Sequence, residues 1–169
     1  LLKRLAAVSD VVTENFQPGT LERWGVGYED LEAVNQKLVM VRISGYGQTG
    51  PYRDKPGFGR IGNAFGGIAF LSGEPDRPPA IPGTATLSDY MSGLYAALGV
   101  LMALRFRDAP DAPDGIDGVG QYIDIGLYEP IFRILDELAP AYDKFGFVRE
   151  RMGAATVVED RERTFDSIL

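Results

Sequence analysis

Asp89 is the carboxylate whose place in the sequence best suits chemistry. It follows a loop rich in proline and glycine and falls in the first turn of the longest helix that the sequence predicts. A helix N-terminus offers free N–H groups and the positive end of the helix dipole, which stabilise a carboxylate or a bound anion. The small residues Ser92 and Gly93 that follow favour a functional role. An ordinary first-turn acid beside a capping Ser88 or Thr86 is the alternative.

Cationic and aromatic residues gather in two other places. Arg23 and Trp24 follow a turn-rich loop, and an arginine beside an aromatic ring can hold a phosphate and stack a base. A surface charge and a core anchor are the alternative interpretation of this pair. Arg53, Lys55 and Arg60 make a glycine- and proline-rich stretch locally basic. A solvated face would explain these three cations, and so would a polyanionic cofactor.

The composition excludes several kinds of chemistry within this chain. Its 169 residues include no cysteine and no histidine, so thiolate nucleophiles, disulfides and Ser-His or Cys-His pairs are absent from it. We therefore predict no metal. The net charge of −7 argues against a protein that tracks nucleic-acid phosphates. Catalysis by this chain must use carboxylates, hydroxyls, Lys, Arg or backbone groups.

The hydrophobic pattern predicts an α/β domain that would position these residues. Apolar or alternating runs predict parallel strands, and apolar residues at helical spacing predict helices. Strands are expected at 11–14, 37–43 and 121–125, and helices at 20–24, 28–34, 60–71, 87–107 and 127–142. Strands that alternate with helices indicate a parallel sheet with helices packed on it. In the helix at 87–107, Leu94, Leu98 and Leu101 recur at the spacing of an amphipathic helix.

No stretch of the sequence approaches the ~20 apolar residues that are needed to span a bilayer. We therefore predict no membrane partner and a cytoplasmic location. The chain lacks an initiator methionine and starts with what reads as the end of a helix. We therefore expect it to begin within a domain.

Five blocks of the sequence follow one another in the order of one known family's motifs. Residues 14–25 resemble its E-N-F-x-P-G-x-x-x-R-x-G signature, and residues 44–52 resemble S-G-[FY]-G-Q-x-G-P-Y. Residues 72–79, 89–97 and 120–125 are similar to its T-G-x-x-x-x-P-P and D-x-x-x-G-x-x-A blocks and to the end of G-x-G-Q-x-[IV]-D. Several blocks in order are far more specific than any one motif. The family they resemble is class III CoA-transferases, which includes formyl-CoA and carnitine CoA-transferases.

The resemblance implies a Rossmann-like parallel sheet with helices, as a partial large domain, and a carboxylate nucleophile. The aspartate of the family's D-x-x-x-G block corresponds to Asp89. It would attack an acyl-CoA thioester to give an acyl-aspartyl anhydride, which returning CoA thiolate converts to an aspartyl-CoA thioester. An acceptor carboxylate would then leave as the new acyl-CoA. This covalent course requires neither histidine nor metal.

The same resemblance implies the ligand site and the partners. The coenzyme A of the acyl-CoA substrate would contact Asn15, Thr20, Arg23, Trp24, Phe58 and Arg60. The family forms an interlocked homodimer, so a second copy is the expected partner, beside acyl-CoA and a carboxylic acid. The basic loop of Arg53, Lys55 and Arg60 would suit a second negative charge, and thus a small dicarboxylate acceptor.

Departures from the family pattern leave two alternatives open. Racemases of 2-methylacyl-CoA are similar around the aspartate but pair it with a histidine, which this chain lacks. An inactive CoA-binding fragment is the other alternative, because a family portion before the first block is not matched. Gly59 and Val119 stand where an acid and an arginine are common. We expect residues 1–148 to form a partial large domain and residues 149–169 a divergent or truncated tail.

Overall fold

The structure, a computed structural model, describes residues 1–80, 86–109 and 118–153. In these ranges the chain forms eight helices and three strands. In order they are α1 (Leu2–Ala6), β1 (Val11–Glu14), α2 (Thr20–Arg23), α3 (Tyr28–Glu32), β2 (Val39–Ser44), α4 (Gly59–Phe65), α5 (Ile68–Leu71), α6 (Leu87–Arg107), β3 (Tyr122–Gly126), α7 (Glu129–Ile134) and α8 (Leu138–Phe145).

The three strands form one parallel sheet in the order β1-β2-β3. Val11 pairs with Val39, and Met40 pairs with Tyr122, so the carboxyl ends of all three strands lie at one edge. Helices lie between consecutive strands along the chain, as parallel pairing requires. The predicted α/β fold, with a Rossmann-like parallel sheet, is confirmed.

Helices cover both faces of the sheet, and β2 supplies both halves of the core. Met40 packs with Leu21 and Leu31 on the side of α1–α3. Val41, the next residue, packs with Ala96 of α6 on the other side. Successive side chains of a strand point to opposite faces, which explains why the central strand is almost continuously apolar.

Helix α6 runs from the carboxyl edge of the sheet back to its amino edge. Arg107, at its last position, is buried and donates a hydrogen bond to the carbonyl of Lys37 (3.1 Å). It also forms an ion pair with Asp10 (2.9 Å). Lys37 and Asp10 both precede strands, so the other end of α6, which carries Asp89, lies at the carboxyl edge.

The inward side of α6 differs from the side that its leucines indicate. Ser88, Ser92 and Ala96 are buried, whereas Leu94 and Leu98 are 65% and 54% exposed. The side chains of Ser and Ala are small enough for the helix to lie close to the sheet, and the leucines are left on the outer side. The position of the helix was predicted correctly, but its apolar stripe does not build the described core.

The prediction that no stretch has the length and apolarity of a membrane span is wrong for helix α6. It has 21 residues, and its mean hydropathy reaches 1.3. Core helices of water-soluble proteins share these properties, and α6 packs one side on β2 and β3. Length and composition therefore do not by themselves give α6 a place in a membrane.

Two predicted helices are each divided in the structure. The helix expected at 60–71 is α4 and α5, separated at Gly67, whose φ of 101° is left-handed. The helix expected at 127–142 is α7 and α8, separated near Asp136, whose φ is 38°. Pro140 lies in the first turn of α8, where the missing N–H is tolerated, and not at a weakened helix end.

The predicted tail is described only in part. Arg149 pairs with Glu137, and Arg151 Nε donates to the carbonyl of Glu74 (3.0 Å), so residues 149–153 contact the start of α8 and the loop after α5. Residues 81–85 and 110–117 of the two predicted loops, and 154–169 of the tail, lie outside the described residues. The boundary at residue 148 stays a prediction.

Candidate active site

A cavity of about 280 Å³ opens at the carboxyl edge of the sheet beside Asp89. Its wall comes from the loop after β1, the end of β2, the loop after β2 and the first turn of α6. The lining residues are 15–18, 43–45, 53, 55–59, 89 and 127. The structure thus brings together five of the residues selected from the sequence, namely Asp89, Asn15, Phe58, Arg53 and Lys55.

The first turn of α6 is held from outside the helix. Asn63 Oδ1 accepts a hydrogen bond from the backbone N–H of Ser88 (3.1 Å), and the Ser88 hydroxyl donates to the carbonyl of Gly59 (2.8 Å). Thr86 makes no side-chain capping bond. The predicted alternative, in which Ser88 or Thr86 caps its own helix, is therefore wrong.

Two cations lie on the cavity wall together with Asp89. Lys55 and Arg53 come from the loop after β2, and the Lys55 ammonium lies 4.0 Å from the ring centroid of Tyr52. Tyr52 packs on Phe65, with ring centroids 5.6 Å apart, so this contact ties the loop to α4. Arg53 Nε also lies 3.4 Å from Asp54 Oδ2. The wall therefore carries positive charge as well as a carboxylate, an arrangement suited to small anionic ligands.

The remaining predicted ligand residues lie beside the cavity and not in its wall. Arg23 Nη2 donates to Thr20 Oγ1 (2.9 Å), which fixes both on α2. Trp24 is 60% exposed, so its interpretation as a core anchor is wrong. Its ring meets the wall residue Phe16 edge to face, with centroids 5.2 Å apart. Arg60 is exposed in the first turn of α4, next to the wall residue Gly59.

A buried arginine that was not predicted from the sequence holds the loop after β1, which forms part of the cavity wall. Arg42 on β2 is 3% exposed and bonds both Glu14 and Glu22; its Nη2 lies 3.3 Å from Glu22 Oε2. Glu14 Oε2 in turn accepts the backbone N–H of Phe16 (2.7 Å), at the start of the cavity loop. The hydrogen bond from Arg42 lowers the pKa of the Glu22 carboxyl. A charged residue within an apolar strand was the available signal.

A second missed group holds the loop after β2. Asp124 Oδ2 accepts the backbone N–H of Gln48 (2.8 Å), and Glu129 Oε2 accepts the backbone N–H of Gly126 (2.6 Å). The first bond joins the loop after β2 to a side chain of β3, and the second joins the end of β3 to the first residue of α7. Within residues 1–80, 86–109 and 118–153, no group of three or more acidic residues is arranged to hold a metal ion.

Known proteins match this chain over nearly all its length. The sequence profile of CoA-transferase family III matches residues 1–166. The chain is 55% identical to the Chloroflexus aurantiacus succinyl-CoA–L-malate CoA-transferase beta subunit, over 91% of this chain and 36% of that protein. It is 50% identical to the alpha subunit, over 94% of this chain and 35% of that one.

A solved structure agrees with this match. The chain resembles the crystal structure of a CAIB/BAIF family protein from Brucella suis, with a TM-score of 0.82 and 37% identity, over 92% of this chain and 39% of that one. The chain spans about a third of the length of the two Chloroflexus relatives. On the sequence profile and these matches together, the chain belongs to CoA-transferase family III.

Proposed function

We propose that this chain supplies the nucleophile of an acyl-CoA:carboxylate CoA-transferase, and that the nucleophile is Asp89. The observation that carries the proposal is the position of Asp89. It lies in the first turn of α6 and in the wall of a cavity that Arg53 and Lys55 also line. The electrophile, an acyl-CoA thioester, must reach this carboxylate from solvent, and Asp89 is exposed.

The proposed reaction transfers CoA from one acyl group to another. No step consumes water or transfers a proton. A carboxylate oxygen of Asp89 attacks the thioester carbonyl, the C–S bond breaks, and an acyl-aspartyl anhydride and CoA thiolate result. The thiolate attacks the aspartyl carbonyl and expels the donor acid, which leaves an aspartyl-CoA thioester. The acceptor carboxylate then displaces the thiolate to form a second anhydride. Attack of the thiolate on the acceptor's acyl carbon releases the new acyl-CoA and restores Asp89.

The surroundings of Asp89 stabilise the anions that form during the proposed reaction. The N-terminal end of α6 carries partial positive charge, which stabilises a carboxylate and an oxyanion in its first turn. We assign the coenzyme A part of the substrate to Asn15, Phe58 and Arg60 around the cavity, to Thr20 and Arg23 on α2, and to Trp24, which follows α2. The exposed Trp24 ring supports this assignment, because an exposed indole can stack on a base.

The acceptor is proposed to be a small dicarboxylate, since Arg53 and Lys55 line the same cavity as Asp89. The relatives named for succinyl-CoA and L-malate support this class, because L-malate carries two carboxylates and the succinyl group keeps one free carboxylate beside its thioester. One carboxylate would react at Asp89 while the other pairs with the cations.

Kinetics with matched four-carbon acceptors test the dicarboxylate assignment. Lys55→Met is expected to raise KM for succinate about tenfold, since a hydrogen bond to a charged group contributes about 1.5–3 kcal/mol. KM for butyrate should stay within about twofold, because butyrate has no second charge. Lys144→Met, on exposed α8, is the control. Equal effects on both acids would show that Lys55 does not bind the second carboxylate.

The partner is proposed to be a second copy of this chain in an interlocked homodimer, and the location to be cytoplasmic. The alpha and beta subunit names of the relatives support a multi-subunit assembly. The exposed leucines of α6 support a protein surface that covers them.

Intact mass after incubation with a panel of acyl-CoAs tests the reaction itself. With the natural full chain, we expect an adduct on the peptide that holds Asp89, which hydroxylamine removes and Asp89→Asn abolishes. Exchange of the α-proton of the acyl group without any adduct would instead establish an acyl-CoA racemase. CoA binding with neither an adduct nor exchange would identify an inactive CoA-binding fragment.

A further inference from the structure

Helix α4 presents a side without large side chains to the first turn of α6. Gly59, Gly62 and Asn63 are buried there, and a Cβ added to Gly62 would lie 2.9 Å from Ser88 Oγ. The backbone of α4 therefore approaches α6 more closely than ordinary side chains would permit.

Gly59 leaves the space that the Asp89 carboxylate occupies. A Cβ at Gly59 would lie 2.0 Å from Asp89 Oδ2 and 3.1 Å from its Cγ. Gly59 is a helical residue whose φ is not left-handed, so alanine would fit its backbone. The three atoms nearest to such a methyl group belong to the side chains of Asp89 and Ser88. The methyl group would therefore displace the Asp89 carboxylate, which can rotate away, and would leave the backbone in place.

Asn63 fixes the backbone that carries Asp89. Its side chain is fully buried, and Oδ1 accepts the N–H of Ser88, the residue before Asp89. Its Nδ2 has no partner among the described residues, so the bond to Ser88 is the polar contact this buried amide makes there. The Ser88 hydroxyl closes the connection by donating to the carbonyl of Gly59.

We propose that Gly59 and Asn63 are positioning residues for Asp89, an inference that rests on the proposed function. Because Gly59 has no side chain, the Asp89 carboxylate can occupy the space beside it. Asn63 holds the backbone next to Asp89 in place. Neither residue supplies a group that forms or breaks a bond in the reaction. A nucleophile must lie about 3–3.5 Å from the carbon it attacks, and a misplacement of about 1 Å can cost about 100-fold in rate.

The test measures the rate of adduct formation at saturating acyl-CoA, per molecule competent to bind CoA, in the natural full chain. Gly59→Ala is expected to lower this rate about 30- to 100-fold, with the Kd for CoA within about threefold of wild type. Gly99→Ala is the matched control, because a Cβ at Gly99 would make an ordinary 3.5 Å contact with Ile123. It should react at the wild-type rate.

Asn63 is tested by loss and rescue. Asn63→Leu removes the acceptor at similar volume and is expected to lower the rate about tenfold or more, whereas Asn63→Asp keeps an oxygen acceptor and should stay within about fivefold of wild type. Asn35→Leu is the control, since Asn35 bonds the carbonyls of Ala6 and Ser9 at the amino edge of the sheet. It should lower stability and leave the rate per competent molecule unchanged.

The outcomes separate the two proposals. No adduct on the wild-type protein would refute the proposed function itself. A wild-type adduct with Gly59→Ala and Asn63→Leu at wild-type rates would refute the positioning role. So would a Gly59→Ala protein that fails to fold, or an Asn63→Asp protein as slow as Asn63→Leu, because either result would make the contact merely structural.

Discussion

At the residue scale, one buried arginine explains how a loop without regular structure keeps its place. Arg42 is almost fully buried between Glu14 and Glu22, and Glu14 also accepts the N–H of Phe16. A buried charge is tolerated only when it is paired, and loss of one partner costs about 3–5 kcal/mol. Substitution of Arg42 would therefore unfold the loop after β1 as well as alter the cavity.

The pH dependence of stability should report on this group through Glu22. Arg42 lowers the pKa of Glu22 below its ordinary value of 4.5 in the folded protein. The unfolded chain then binds a proton more readily, so this stabilisation is complete above about pH 4.5 and is lost as the pH falls through the folded pKa. Glu22 is half-exposed, so the contribution is under about 1 kcal/mol.

Urea unfolding of wild type and Glu22→Gln between pH 7 and pH 3 measures this contribution. The free energy of unfolding of wild type should exceed that of Glu22→Gln at pH 7, and the difference should shrink towards pH 3. Glu29→Gln, on the exposed side of α3, controls for the loss of one carboxylate. A difference that stays constant across this range would contradict the assigned role of Arg42.

At the element scale, the approach of β3 to β2 depends on a glycine before the strand. Gly120 N–H donates to the carbonyl of Gln36 (2.7 Å), and a Cβ at Gly120 would lie 2.0 Å from the carbonyl oxygen of Leu38. This neighbour is backbone, so it cannot rotate away as a side chain can. The start of β3 therefore requires glycine for a steric reason.

Gly120→Ala is expected to lower the free energy of unfolding by about 3 kcal/mol or more, the upper range for overpacking a rigid site. Gly99→Ala, in the middle of α6, should instead leave stability unchanged or raise it by up to about 1 kcal/mol. Urea unfolding followed by circular dichroism measures both. Equal stability of the two variants would mean that β3 does not approach β2 as closely as the structure has it.

At the scale of the whole molecule, α6 has an apolar side that the described residues leave exposed. Leu94, Leu98 and Leu101 are all more than half exposed. Burial of one leucine side chain stabilises a folded or associated protein by about 1.5–3 kcal/mol. Three exposed leucines on one side of a helix therefore indicate a surface that another protein surface covers. We expect a second copy to cover it, in agreement with the proposed homodimer.

Leu98→Lys is expected to halve the molar mass of the natural protein in light scattering, because a lysine cannot be buried unpaired in that interface. Val34→Lys, at an exposed valine after α3, should leave the mass unchanged. If the variant keeps its mass and the amides of α6 stay protected in hydrogen exchange, the covering surface belongs to the same chain. Sedimentation of the wild type with lipid vesicles would instead point to a membrane.

Prediction from the sequence succeeded for features that depend on residues close together in the chain. Strand β1 and helix α6 were predicted with the bounds that the structure shows, because hydrophobic periodicity acts within a few residues. The division of helices at Gly67 and Asp136, which both have positive φ, was missed.

The candidate site was predicted in part for the same reason. Asp89 was placed at a helix N-terminus, and Asn15 and Phe58 were named with it; all three line the cavity. The positions of Arg23 and Trp24 beside the cavity could not be predicted, because α2 is placed by packing against β2 and not by its own sequence.

The sequence by itself determined the α/β class, the parallel strands and the first-turn position of Asp89. Only the tertiary structure decided which side of α6 meets the sheet, that Asn63 holds its first turn, and that Gly59 leaves room for the carboxylate. The reason is physical. Local periodicity fixes the secondary structure, whereas these contacts join residues far apart in the chain and exist only once the helices have packed on the sheet.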